Sequence, residues 1–163
     1  MKKIILAVVV ALIAYAILNL YFLNRVPYIC PIKYQSDIII RNDSRGKGTF
    51  ASSRRGNRSH RGIDLYAEIG TPVLAARSGR VAVARNEKRG MGNYVVIKHA
   101  PHLISLYGHL SKIYVKKNQF VRQGAVIGLV GKTGNANSRY MQPHLHFEIR
   151  ENGIPQDPLA CFN

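Results

Sequence analysis

Thiols and acidic side chains are both scarce in this sequence. Its two cysteines, Cys30 and Cys161, stand far apart with no C-x-x-C spacing, which excludes a thiolate-bound metal as the organising centre. They either pair as a disulfide in an oxidising compartment or remain two free thiols. Eight Asp and Glu face 24 Lys and Arg, a formal charge of +16. Lys2, Lys3 and Arg25 are the basic residues of the first 25, so the remainder holds 21 basic against 8 acidic residues, a formal +13. That bias favours an anionic partner: nucleic acid, an anionic membrane surface, or a carboxylate- and phosphate-rich cell wall. No nucleic-acid-binding motif is present and the basic residues are spread along the chain, so no nucleic acid is expected.

Helical periodicity is also missing beyond the N-terminus, where no segment keeps a 3.6-residue pattern over ten residues. The glycines of Gly131 to Gly134 do not form GxxxxGK[ST], which excludes a phosphate loop of that kind. Ile29 precedes Cys30, unlike a lipoprotein cleavage box.

What is present begins with an apolar stretch from Ile4 to Leu23, broken only by Asn19 and preceded by Lys2 and Lys3. Twenty such residues are long enough to cross a hydrocarbon core as a helix. The competing reading is a cleaved signal peptide, with Ile4 to Ile13 as its apolar region and Ala14-Tyr15-Ala16 as its cleavage site. The apolar run continues past that site without a polar break, so an uncleaved anchor is favoured. Arg25, Lys33 and Arg41 follow the span and blunt any charge rule for its orientation.

Three segments result: 1–25 as membrane anchor or signal peptide, 26–47 as a linker leading into the domain, and 48–163 as the domain. Within the second, Ile38-Ile39-Ile40 reads as a first strand. From Asn42 to Ser59, Gly, Ser and Arg dominate, which is loop chemistry. Arg54, Arg55, Arg58 and Arg61 form the densest basic cluster, either a solvated loop or a contact for anionic substrate groups. Short strands follow at Pro72 to Ala76, Gly79 to Arg85, Tyr94 to His99, Leu103 to Leu110, Ala125 to Val130 and His144 to Arg150, punctuated by glycine and proline turns. The expected fold is mainly β: an antiparallel β-sandwich or partly open barrel with long groove-forming loops, preceded by one N-terminal transmembrane helix.

Within Pro143-His144-Leu145-His146-Phe147-Glu148, strand alternation puts His144, His146 and Glu148 on one face and Leu145, Phe147 and Ile149 on the other. The second face reads as core, and the first presents two imidazoles, common metal ligands. His60-Arg61-Gly62-Ile63-Asp64 offers a His and a carboxylate four residues apart around a glycine. Two His and one Asp leave a fourth tetrahedral position for water, the pattern of a catalytic zinc site.

HRGID and HLHFE, about eighty residues apart, resemble the paired motifs of the M23 family of zinc metallopeptidases, the lysostaphin-like or LytM-domain proteins. Leu106-Tyr107-Gly108-His109-Leu110 matches a third motif, and the Gly-rich run from Gly124 to Gly134 matches as well. The resemblance implies that His60, Asp64 and His146 hold one Zn2+ per chain. It further implies that His144 and His109 flank the attacking water as catalytic groups, with their division of labour left open. Ala51 stands where the family has glycine. The stretch 135–143 before the second metal motif is longer than in the family, so substrate specificity is not carried over.

Tyr107, one turn of the pleat from His109, reads as either packing or catalytic, and Glu148 as a support for His146 rather than a ligand. His99 and His102 read as a strand end and a turn. Gly79-Arg80-Val81 with Val121 to Gly128 also resembles the hammerhead of biotinyl and lipoyl carriers, but the modifiable lysine between methionines is absent. The implied function is a peptidoglycan endopeptidase at the cytoplasmic membrane, single-pass with its domain outside, or secreted if the N-terminus is cleaved. The alternative is a non-catalytic LytM-type module that binds the wall or activates other wall hydrolases. Protein partners are not indicated.

Overall fold

The computed structural model describes residues 2–25, 27–54 and 56–162, without the side chains of residues 3 and 18–25. Helix α1 (Lys2–Arg25) is followed by β1 (Asn42–Asp43), β2 (Gly46–Lys47), β3 (Ser53–Arg54), β4 (Arg58–Ser59), β5 (Ile63–Tyr66), β6 (Pro72–Leu74) and β7 (Gly79–Arg85). The chain continues through β8 (Asn93–Ala100), β9 (Leu103–Leu110), β10 (Lys112–Ile113), β11 (Phe120–Val121), β12 (Val126–Leu129), β13 (His144–Glu151) and β14 (Ile154–Gln156).

A seven-stranded antiparallel sheet runs β11-β7-β8-β9-β13-β14, with β5 also paired to β13, and a second sheet runs β10-β12-β6. One apolar cluster joins them: Val81, Val95 and Leu145 of the large sheet share a core with Val73 and Ile127 of the small one. This is the expected mainly-β fold, although among the described residues no sheet closes into a barrel.

The N-terminal segment is helical, and its described apolar side chains, from Ile4 at 69 % to Ile17 at 61 %, are exposed. Among the described residues no helix is long and apolar enough to cross a membrane, so the expected transmembrane helix is not supported. Residues 18–23, which the expectation needs for its full length, have side chains outside the described residues.

The segment 28–47 packs into the fold. Tyr28 and Ile32 lie in the core, and the Leu74 and Tyr66 amides donate to the Pro31 and Ile39 carbonyls. Tyr28 also bridges Phe162 in parallel, so the chain enters and leaves this part of the molecule at one place. Ile38 to Ile40, expected as a strand, makes only a single bridge, Ile40 to Leu65. The Gly/Ser/Arg stretch 42–59, expected as loop, holds two short hairpins, β1-β2 and β3-β4. Gly46, Gly56 and Asn57 supply the positive φ that such tight reversals need. Ala51 has φ 57°, the left-handed region where glycine carries no steric cost. Cys30 and Cys161 are both unpaired and half-buried.

Candidate metal centre

Strand β13 is the axis of the site. On one side it pairs with β5, His146 lying opposite Asp64, and on the other with β9, His146 lying opposite Gly108. Directly opposed residues in an antiparallel pair have Cβ atoms about 5 Å apart, so the register alone delivers a carboxylate and an imidazole to each other. Gly62 lets the approach to β5 lie this close: a Cβ there would collide with the Phe147 carbonyl. As expected from alternation, Leu145, Phe147 and Ile149 are core while His144, His146 and Glu148 face the site, all of them buried.

Three atoms converge. His60 Nε2 lies 3.1 Å from both Asp64 Oδ1 and His146 Nδ1, and His146 Nδ1 lies 2.8 Å from Asp64 Oδ1. With metal–ligand bonds of about 2.0–2.2 Å, the edge of a tetrahedron is about 3.3–3.6 Å. The triangle is slightly contracted from that spacing. The remaining ring nitrogens fix which atoms face inward. His60 Nδ1–H donates to the Thr49 carbonyl at 2.9 Å, and His146 Nε2–H donates to Glu148 Oε1 at 2.9 Å. In those tautomers both inward nitrogens carry lone pairs beside a carboxylate oxygen. Three acceptors at contact distance need a cation between them, and the donor set suits zinc.

Without metal a proton takes that place. Burial alone would push the His146 pKa down, but hydrogen bonds to the Asp64 and Glu148 carboxylates overcome it and raise the value to about 9. Burial also opposes the charge on Asp64 and Glu148. Contacts to the imidazoles prevail there too, holding Asp64 well below and Glu148 below the usual carboxylate range. Because the folded value of His146 lies above the ordinary 6.5, its proton stabilises the metal-free fold fully below that pH and ceases to do so as pH rises through about 9. A metal must displace this proton. Zinc affinity of chelator-stripped protein should therefore rise about tenfold from pH 7 to pH 8, with one proton released per metal bound. Competition titrations with a chelating dye check this, and a flat affinity over that interval would contradict the proton's place.

Two further imidazoles face the same space. His144 Nδ1–H donates to the Gln142 carbonyl at 2.7 Å and His109 Nδ1–H to the Thr133 carbonyl at 2.9 Å, their rings 5.0 Å apart. Each presents an unanchored Nε2, that of His144 lying 3.9 Å from Asp64 Oδ1. Burial, and then the neighbouring imidazoles, push His109 down to about 3; burial likewise lowers His144. Both are neutral and able to accept a proton. His109 reaches the site through a positive φ of 62°, which breaks the alternation that would give it the same face as Tyr107. Tyr107 is instead buried in the core, its hydroxyl accepting from the Ala76 amide at 2.9 Å and from Ser105 Oγ.

The structure thus brings together His60, Asp64, His146, His109 and His144, with Glu148 supporting His146 and itself held by Arg150 Nε at 2.6 Å. His99 lies away from the site, bonded to the Ser78 carbonyl and Ser105. Of the arginine cluster, Arg54 reaches Asp64 Oδ2 at 2.9 Å, Arg58 and Arg61 are exposed, and Arg55 lies outside the described residues. Sequence reasoning missed Arg41, which is buried and reaches the same Oδ2 at 3.0 Å. An arginine inside an otherwise β-branched run, Ile38-Ile39-Ile40-Arg41, was the available signal.

These features define a β-sheet protein with a buried His/Asp/His centre open to a metal and flanked by two neutral histidines. The model of peptidase family M23 matches residues 58–158, more than half of the chain. The chain belongs to that family. It is 47 % identical over 102 residues to the peptidoglycan DD-endopeptidase ShyA of Vibrio cholerae, covering 63 % of this chain and 23 % of that protein. It is 39 % identical over 111 residues to the murein hydrolase activator NlpD of Escherichia coli, covering 68 % and 27 %. The chain therefore spans about a quarter of these relatives. Among solved structures, a zinc-containing peptidase from Vibrio cholerae superposes with a TM-score of 0.66 at 32 % identity, over 82 % of this chain and 40 % of that one.

Proposed function

We propose that this chain is a zinc-dependent endopeptidase that hydrolyses peptide bonds in peptidoglycan, in crosslinks or stem peptides. The observation that carries the reading is the pairing of a complete three-atom metal triangle with two neutral imidazoles whose tautomers are fixed by backbone carbonyls. His60, Asp64 and His146 hold the ion, which when bound supplies a Lewis acid and an ionisable water near neutral pH. One of the Nε2 atoms of His109 and His144 would take a proton from the attacking water and later return it to the leaving amine. Carrying that proton, the same Nε2–H would donate to the oxyanion, while the other imidazole, neutral with its Nδ1–H held by a carbonyl, would accept from the water and orient it. Glu148 keeps His146 in the tautomer that points Nδ1 inward.

Thr133, whose carbonyl His109 contacts, also lines a depression of about 510 Å³ together with Glu87, Lys88, Asn93, Lys132 and Asn137. Its two lysines suit the free carboxylates of a stem peptide, and the overall positive charge suits an anionic wall. The substrate places the domain outside the cytoplasmic membrane. The second reading, a module that activates other wall hydrolases, is favoured by the likeness to the Escherichia coli activator; the complete donor set favours catalysis.

The test takes the purified full chain and measures bound zinc together with amines released from purified peptidoglycan, with and without chelator. About one zinc per chain and release abolished by chelator are expected. Zinc without release on walls of several chemistries would move the function to the activator reading.

A further inference from the structure

Arg41 is 2 % exposed, and a guanidinium buried so far from water must be matched by carboxylates. Its Nη1 reaches Asp43 Oδ1 at 2.6 Å, while its Nε and Nη2 reach Asp64 Oδ2 at 3.3 and 3.0 Å. Arg54 Nη2 adds a third contact to that same Oδ2 at 2.9 Å. The two oxygens of Asp64 are therefore divided. Oδ2 is enclosed by two guanidinium groups, and Oδ1 alone faces His60 and His146.

The backbone makes this division rigid. Arg41 N–H donates to the Asp64 carbonyl, Asp64 N–H to the Gly48 carbonyl, and Gly48 N–H to the Arg41 carbonyl, at 2.8, 2.8 and 2.7 Å. A Cβ on Gly48 would meet Asp64 Cβ at 2.8 Å, so the three strands of chain close up only around glycine. Asp43 extends the clamp by accepting from the Gln142 amide at 2.8 Å, two residues before His144.

We propose that Arg41, assisted by Arg54, is a positioning residue that confines Asp64 to one-oxygen ligation of the metal and thereby keeps the fourth coordination position open. An unrestrained carboxylate can turn both oxygens to a divalent ion and fill that position. The inference rests on the metal reading of the site, and the experiment separates the two.

The full chain is stripped and reloaded with zinc for affinity and with cobalt(II) for its visible spectrum, whose intensity distinguishes four-coordinate from higher-coordinate ions. Wild type should bind one ion with the strong bands of a four-coordinate centre; failure to bind would sink the site reading itself. Arg41→Met should bind zinc about 10–100-fold more weakly, the range for loss of an outer contact to a ligand. Its cobalt bands should weaken as Asp64 chelates. Arg41→Lys, which restores the charge without the fork, should recover affinity in part but not the spectrum. A folded Arg41→Met with wild-type affinity and spectrum overturns the proposal. Should that variant fail to fold, Arg54→Met decides: its side chain is 22 % exposed, and the same shifts in smaller measure support the proposal while none overturns it.

Discussion

His146→Ala should lose bound zinc and hydrolytic activity together. Loss of an outer contact to a metal ligand costs about 10–100-fold in affinity or activity, and His146 is itself one of the three donors that converge among the described residues, so the loss should exceed 100-fold. A second effect is separable from the first. His146 stands between the buried Asp64 and Glu148 carboxylates, and removing one partner of a buried charge pair costs about 3–5 kcal/mol. The variant should therefore unfold at a lower temperature than wild type even when both are free of metal. His60→Ala is the control, because its outward nitrogen contacts only the Thr49 carbonyl: it should lose zinc with a smaller stability change. Thermal unfolding in excess chelator, with zinc analysis and amine release, reads all three quantities. Zinc retained by a folded His146→Ala would remove this residue from the ligand set.

His144→Ala and His109→Ala should behave in the opposite way, keeping zinc near the wild-type level while kcat falls about 10²–10⁴-fold, the usual worth of a positioned acid or base. Neither residue belongs to the converging triangle. The double variant should lose less than the sum of the two in free energy, since groups acting on one proton path are not additive. Steady-state kinetics on a defined crosslinked muropeptide, alongside zinc analysis, gives the comparison. Loss of zinc from either single variant would make that histidine a ligand rather than a proton carrier.

Much of this site was legible in the sequence because its main elements are local and periodic. Strand alternation through 144–149 fixed both the core face and the site face, and β7 and β9 begin and end where glycine and apolar patterning placed them. The four-residue spacing of His60 and Asp64 around Gly62 pointed to one centre. What escaped was set by long-range contact or by single dihedrals. Arg41 meets a partner 23 residues away, so its place at the end of a run of isoleucines hinted at burial without naming the carboxylate that permits it. The positive φ of His109 overturned the face that alternation assigned to it. Strand β5 carries Asp64 over only four residues, too few for a period to show, and the two-residue strands of the hairpins leave no pattern at all.

The bridge between Tyr28 and Phe162 makes residues 28–162 a nearly closed loop of chain. A unit whose two ends meet can be spliced into a surface turn of a larger protein without stretching either partner. It can equally be reopened elsewhere, with a short peptide sealing the old ends. The exposed turn at Lys88 and Arg89 offers such an opening, and the permuted chain would still bring β5, β9 and β13 side by side.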